Sequence, residues 1–437
     1  MWSLPPILVR LLALCSFISF VSAADPNSEN HGYPLYGNIS SFSMAWSILS
    51  RRQALVTSGD PAQLLPSGFT QRTFAKIGRQ YPDDRYRGLY AAYVREIAIH
   101  ALEALSDAEK VRSFPLDRLS LGNGMLDTFS RSRDERFRRA SDALRDSIDT
   151  QPRNEAGGLW YWTAQPSISN LEGVYSLAPF YAQHAIYHDP GNVTAVVADI
   201  VKQFDLLWEN CYDEKTGLLV HGYDASKKAS WANQKTGASQ YVWARAVGLY
   251  TMALIDTLEV LALSRVSLSA TTLEGWPSMQ KKFKMIGDAL LKNVEYSGGW
   301  WQVMNEPSRK GNYIEPSATA MFVYSLLKGN RLGYFDDNAF PTDKIDTTRN
   351  LTTKYSEVAL KAYDLLVKDY VVETQNRSLD FKGSSPTYSL NSAASYEYYL
   401  SQPSEYNSPF GTSAFVLASL EYERFYNVTS SIPWAPL

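Results

Sequence analysis

Apolar residues along this chain recur at the three- and four-residue intervals of helices, and the strict alternation of a half-buried strand never persists. The spacing predicts helices beginning near Ser40, Tyr90, Asp134, Leu171, Thr194, Gln240, Met279, Ser317, Lys354 and Thr412, with weaker ones in "TQRTFAKIG" and "LGNGMLDTFS". They are of two kinds. "DERFRRASDALRDSIDT" and "YSEVALKAYDLLVKDYV" are amphipathic and charged, whereas "LEGVYSLAPFYAQHA" and "SATAMFVYSLL" are apolar, small or aromatic nearly all round. A helix that is apolar on every side has to be enclosed, and an amphipathic one covers it. The two kinds alternate along the middle of the chain, as an inner and an outer ring of helices require.

The loops repeat as well. "NEAGGLWYW", "DEKTGLLVHGYD" and "EYSGGWWQVMN" each place an acidic residue, glycine and bulky side chains shortly before an inner-type helix. Weak repetition of a helix-pair unit marks a stacked or closed helical array. The expectation is an all-α fold, six hairpins closed into an (α/α)6 barrel, with an open solenoid as the alternative. No Pro/Gly/Ser-rich linker divides the chain, so residues 24–437 are expected to form one domain.

Composition narrows the setting. At 437 residues, 45% hydrophobic and 13% aromatic, the chain can bury a large core, which excludes a disordered protein. A formal net charge of -3 leaves no basic footprint for a nucleic-acid partner. "ILVRLLALCSFISFV" followed by "VSA" has the layout of a secretory signal, residues 1–23, and no later stretch reads as a membrane span. A secreted, extracellular protein is expected, monomeric and free of the membrane once the signal is removed. Sequons at Asn38, Asn192, Asn350, Asn376 and Asn427 are candidate glycosylation sites, though such triplets also arise by chance. Cys15 lies in the signal, leaving Cys211 alone and no intramolecular disulfide to supplement the core.

The chain lacks a phosphate loop, a G-x-S-x-G elbow and a Cys-pair metal site, and no cofactor or metal is expected. His184 and His188 share a helix face at metal-ligand spacing, but no acidic or Cys partner is evident in the sequence. The inner-helix loops bring Trp160, Tyr161, Trp162, His221, Tyr223, Trp231, Trp300 and Trp301 together with Glu306, Arg309 and Glu315. Aromatic faces beside polar groups suit sugar rings; equally, aromatics pack the mouth of a barrel. Arg245 lies in an otherwise apolar helix, where a guanidinium needs either a salt bridge or a carboxylate-bearing substrate. Glu172 follows a good N-cap, Asn170, by two residues. The helix dipole favours a carboxylate there by about 0.3–1 kcal/mol, which explains it without chemistry.

The motifs "LDRLSLGN", "GGLWYW", "NLEGVYSLAPFYAQ", "HGYD", "WANQKTGASQYVWARAVGLY", "GGWWQV", "GNYIEPSATAMF" and "GTSAFVLASLEY", in that order, resemble the unsaturated rhamnogalacturonyl hydrolases of glycoside hydrolase family 105. The unsaturated glucuronyl hydrolases of family 88 are more distant. The resemblance runs from about residue 85 to the C-terminus and is most specific in "GNYIEPSATAMF" and in the spacing of His221 to Arg245. It implies an (α/α)6 barrel acting on the oligosaccharides that polysaccharide lyases leave, from pectin, rhamnogalacturonan or related glycans. It also implies a reaction that hydrates the C4=C5 bond of a terminal 4,5-unsaturated uronic acid. By the same resemblance Glu172 stands where relatives keep a catalytic Asp and Asp117 is a second active-site carboxylate. His221, Trp243 and Arg245 are substrate-contacting residues.

Five departures accompany it. Glu172 replaces Asp, Tyr161 and Trp162 replace His and Lys, Ser176 replaces Met, and Leu249 replaces Trp. Loss of two potential cations implies that an anionic substrate is held differently. The leading expectation is a secreted glycoside hydrolase with catalytic Glu172 and Asp117 and an oligosaccharide held by Trp160, Tyr161, His221, Trp243, Arg245 and Glu315. The alternatives are a non-catalytic glycan-binding relative, or an (α/α)6 glycosidase using a pair such as Glu172 and Glu315 on a saturated sugar.

Overall fold

The computed structural model describes residues 40–264, 268–336, 352–375 and 378–428. The expected signal (1–23), His31 and the sequons at Asn38, Asn350 and Asn376 lie outside them. Helices alternate between two rings. The outer ones are α1 (Ser40–Ser50), α3 (Arg87–Leu105), α5 (Glu135–Asp149), α7 (Val193–Cys211), α9 (Trp276–Asn293) and α11 (Lys354–Asp369). Their inner partners are α2 (Leu64–Gln80), α4 (Gly122–Ser132, led in by a 3-10 stretch from Leu116), α6 (Leu171–His188), α8 (Ala244–Ser264), α10 (Pro316–Leu332) and α12 (Pro409–Phe425). Each inner helix packs on the next, and α12 returns to α2, so the described residues close an (α/α)6 ring and the open solenoid is excluded.

The division into rings follows from side-chain pattern. In α5 the buried residues Phe137, Ala140, Ser141, Leu144 and Ile148 form one stripe, with charges on the other face. In α10 every residue but Leu332 is buried. Helix α8 is long and apolar enough to cross a membrane by length and composition, contrary to the reading of the sequence, but 83% of that window is enclosed by the barrel.

Helix starts depart from expectation where another interaction competes. The start expected near Gln240 falls at Ala244. The preceding residues pair with a loop, Ala244 N donating to Gln302 O and Met304 N to Val242 O. Helices α10 and α12 begin at Pro316 and Pro409, slightly before the expected Ser317 and Thr412, because proline is favoured where its missing N–H has no helical partner. Short antiparallel pairs also form: Ile168–Asn170 with Gly222–Asp224, Tyr212–Asp213 with Leu218–Leu219, and Val371–Glu373 with Leu379–Phe381.

The two ends of the barrel differ. Inner-helix N-termini and their loops carry Asp117, Glu172, His221, Trp243 and Arg245. Towards the C-terminal end, buried Asp256 receives Arg72 Nη2 at 2.7 Å and Tyr324 Oη at 2.6 Å, and also pairs with Lys328. Arg331 meets Glu421 through two 2.8 Å contacts.

Candidate active site at the head of the barrel

Backbone hydrogen bonds join the loops that carry the site. Leu116 N donates to Tyr161 O at 2.8 Å, Tyr161 N to Ile168 O at 2.8 Å, Leu171 N to His221 O at 3.1 Å, and His221 N to Tyr241 O at 3.1 Å. The strand pair 168–170 and 222–224 lies within this seam. It closes tightly because residue 222 is glycine: a Cβ there would stand 2.4 Å from Ser169 O. Asn170 has the extended backbone of an N-cap, yet its side chain makes no capping bond and its Oδ1 is enclosed without a partner. The expected cap is therefore present in backbone only.

Glu172 and Asp117 are 5% and 7% exposed. Tyr161 Oη donates to Asp117 Oδ2 at 2.7 Å, while Asp117 Oδ1 is buried with no partner. Burial pushes the Asp117 carboxyl up to about 7; the Tyr161 hydrogen bond opposes this and the nearby Glu172 charge adds to it. Burial, reinforced by the Asp117 charge, also holds Tyr161 well above the usual phenol range, so it serves as a donor.

Glu172 Oε1 lies 2.8 Å from His221 Nε2, and His221 Nδ1 lies 2.7 Å from Tyr399 Oη. A carboxylate accepts only, so Nε2 is the donor to Glu172, and Nδ1 shares a hydrogen bond with the tyrosine hydroxyl. Glu172 Oε2 is buried and unpartnered. Each carboxyl thus keeps one oxygen engaged by the protein and one enclosed without a hydrogen-bond partner.

Trp243 stands beside His221, ring centroids 4.8 Å apart, and donates from Nε1 to Gln302 Oε1 at 3.2 Å. Arg245 is 1% exposed, its Nη2 donating to Ser385 and to Pro386 O at 3.1 Å. Its Nε and Nη1 are buried without partners, and no carboxylate of the described residues is within ion-pair reach. The salt-bridge alternative for Arg245 is thereby removed.

Other expected site residues are placed differently. Glu315 is fully buried: it caps α10 by accepting from Ser317 N and Ala318 N and also takes Ser385 N, so both its oxygens are engaged within the protein. Trp300 is enclosed, donating to Leu290 O at 3.0 Å, and Tyr223 is buried against Asn154, so these two pack the mouth. Trp160 and Tyr161 are half-buried beside the site, and Trp160 Nε1 is unpartnered. His184 Nε2 meets Asp142 at 3.1 Å, an acidic partner the sequence did not reveal; even so, no cluster of three or more metal-ligating groups forms among the described residues.

The sequence reading missed Tyr399, which holds the His221 ring through Nδ1, and the buried Tyr388. Tyr388 stands edge-on to Trp243, centroids 5.7 Å apart. The aromatic-rich run "SYEYYL" was a signal of sorts, but no local spacing ties it to a histidine 178 positions away.

The model of glycosyl hydrolase family 88 matches residues 65–426. Among solved structures, a C. acetobutylicum glycoside hydrolase from family 105 is 30% identical, with a TM-score of 0.75 over 88% of this chain and 99% of its own. The unsaturated glucuronyl hydrolase of Bacillus sp. GL1, responsible for glycosaminoglycan degradation, shares the fold at 13% identity and a TM-score of 0.59, over 88% of this chain and 95% of its own. A 24.9 kDa protein in the picA locus of Rhizobium radiobacter is 37% identical over 138 residues, 32% of this chain and 55% of the relative. The chain thus spans about half the length of the curated relatives it matches. With the matched region running from α2 to the end of α12, the chain belongs to glycosyl hydrolase family 88.

Proposed function

We propose that this chain removes a terminal 4,5-unsaturated uronic acid, galacturonyl or glucuronyl, from oligosaccharides left by polysaccharide lyases, and that it does so as an exported protein. The double bond is part of a vinyl ether. A proton added at C4 leaves an oxocarbenium at C5, which water attacks to give a hemiketal. The C5–O5 bond then opens, and the hemiacetal left at C1 expels the next sugar as an alcohol. The chemistry therefore calls for a proton donor, a proton acceptor and a site for the uronate.

One observation carries this reading: two buried carboxyls, each with one oxygen that has no hydrogen-bond partner, lie at the same end of the barrel as a buried guanidinium that has no carboxylate partner among the described residues. A uronate supplies the missing charge for Arg245, and Trp243 offers a face to the sugar ring. Membership of the family and the likeness to unsaturated uronyl hydrolases support the same substrate class.

The test is a panel of lyase-digested pectins and glycosaminoglycans, followed by ultraviolet absorbance of the double bond. The wild type consumes at least one member, and Glu172→Gln, folded by circular dichroism, consumes none. A panel left untouched by the wild type, or near wild-type rates in Glu172→Gln, overturns the proposal.

A further inference from the structure

The barrel holds a second recess, apart from the carboxyls at its head. It measures about 690 Å3 and lies between α2, α4, α6 and α8. It reaches solvent towards the C-terminal ends of these helices, where Arg79 on its wall has a 61% exposed side chain. Asp117, Glu172, His221 and Arg245 do not line it. Small-molecule sites commonly occupy about 300–1,000 Å3, and this one is large enough for a single sugar ring.

Two glycines shape its wall. A Cβ at Gly68 would stand 2.2 Å from Ser120 Oγ, and one at Gly124 would stand 2.1 Å from Gln71 Oε1. Both polar groups therefore occupy space that only glycine leaves. Gln71 is 1% exposed, and its Nε2 donates to Val94 O at 2.9 Å. That bond orients the amide and leaves Oε1 enclosed without a partner. Ser176 Oγ, on a side chain also 1% exposed, and Asn123 Oδ1 are unpartnered on the same wall. Buried polar atoms are nearly always hydrogen-bonded, so three together call for an occupant. Two of them are amide oxygens, which only accept; their complement is a donor such as a hydroxyl.

Charge around the recess is uneven as well. Arg72, Lys76, Arg79, Arg131 and Lys328 share Asp127, Asp256 and Glu259 as their ion-pair partners. Arg72 stands 2.7 Å from Asp256 and Lys328 2.7 Å from Glu259, whereas Lys76 is left with 3.4 Å and 3.3 Å to the same two carboxylates. Burial pulls the Lys76 ammonium down to about 8 against their attraction, as suits a cation short of counter-charge.

From this arrangement we infer that the recess is a second binding site, for a hydroxylated carboxylate of monosaccharide size. The carboxylate pairs with Lys76, and ring hydroxyls donate to Gln71 Oε1 and Asn123 Oδ1. An inorganic oxyanion would meet the lysine but leave the amide oxygens without donors. A neutral sugar would do the reverse. Nothing in the recess depends on the chemistry at the head.

Galacturonate is the probe, titrated by calorimetry into the full chain, with galactose and inorganic phosphate for comparison. Because a uronate also suits the head, the titration is made in Arg245→Gln, shown to be folded by circular dichroism. One galacturonate is expected to bind there, with galactose and phosphate each at least about tenfold weaker, the scale of one lost hydrogen bond to a charged group. Adding Lys76→Met is expected to weaken galacturonate by at least about tenfold, and adding Gln71→Leu by at least about threefold. Crystals of the wild type soaked in galacturonate give a readout that needs no variant, with the carboxylate expected against Lys76.

Absence of galacturonate binding in folded Arg245→Gln, equal affinity for galactose or phosphate, affinity unchanged by both added substitutions, or soaked crystals with an empty recess would each overturn the second site. A wild type that fills the recess with galacturonate yet consumes no unsaturated uronide contradicts the hydration reading and supports this site.

Discussion

At the scale of single residues, Glu172 is the departure with the largest consequence. Its extra methylene lets Oε1 reach His221 Nε2 at 2.8 Å. Shortening the side chain to the aspartate of related hydrolases withdraws the carboxyl from that contact, and a displacement of about 1 Å can cost a hundredfold. Glu172→Asp is therefore expected to lose about 10- to 100-fold in kcat/KM, measured on the best unsaturated substrate; equal or better activity would show that the His221 contact is not used.

Arg245 makes a different prediction. Arg245→Gln should lose about 10- to 100-fold in kcat/KM, mainly through KM, as expected for hydrogen bonds to a charged group. A methyl-esterified uronide, which lacks the carboxylate, should be about equally poor for both proteins. Retention of the wild-type preference for the free acid in the variant would place uronate recognition elsewhere.

At the scale of elements, alternation of enclosed and amphipathic helices was legible because a period of 3.6 is written locally into each segment. Glu315 shows what such reading omits. Beside Arg309 and the aromatic loops it resembled a sugar contact, but it tops α10, and its carboxylate is occupied by Ser317 N, Ala318 N and Ser385 N. Asn170 is the converse, an N-cap by composition whose side chain does not cap. Glu315→Ala is expected to destabilise by about 2–4 kcal/mol, the sum of a lost cap and a buried donor left without a partner. Thermal or denaturant unfolding measures this; a loss under 0.5 kcal/mol, about the scale of an ordinary surface substitution, would contradict it.

His221 was legible as a site residue only through family likeness, and its partner Tyr399 not at all, since the two meet through tertiary packing alone. The same holds for the ionic cluster at the far end of the barrel. Arg72, Asp256 and Lys328 lie on α2, α8 and α10, and no sequence spacing announces that they converge. Asp256→Ala leaves Arg72 without its carboxylate and Lys328 with Glu259 alone, and is expected to destabilise by about 3–5 kcal/mol. Because the cluster is at the end opposite the site, folded Asp256→Ala should retain kcat/KM within a few-fold.

For the whole molecule, buried carboxyls set the pH dependence of stability. Burial holds Asp117 and Glu423 at about 7, so the folded state keeps protons that the unfolded chain releases above 3.8 and 4.5 respectively. Their stabilising contribution is full below those unfolded values and is lost as pH rises through about 7. Asp256, Glu259 and Glu421 behave oppositely: burial alone would raise them, but Arg72, Lys328 and Arg331 hold them low. Their contribution is present above the unfolded values near 3.8 and 4.5 and is lost as pH falls below them. Tm should therefore be higher near pH 5 than at pH 7.5 and decline again below about pH 4, as read by calorimetry across that range. A Tm that rises steadily from pH 5 to 7.5 would contradict the assignment of proton-retaining carboxyls.

The barrel presents its inner-helix N-termini to one mouth and its ionic cluster to the other, and the central claim concerns what happens at the first. Hydration of the unsaturated ring and ordinary cleavage at C1 release the same neighbouring sugar but leave different partners. The most direct measurement follows one unsaturated disaccharide by two signals at once, the ultraviolet absorbance of its double bond and the saturated sugar released. Absorbance is expected to fall one-for-one with release; release with the absorbance intact would contradict hydration.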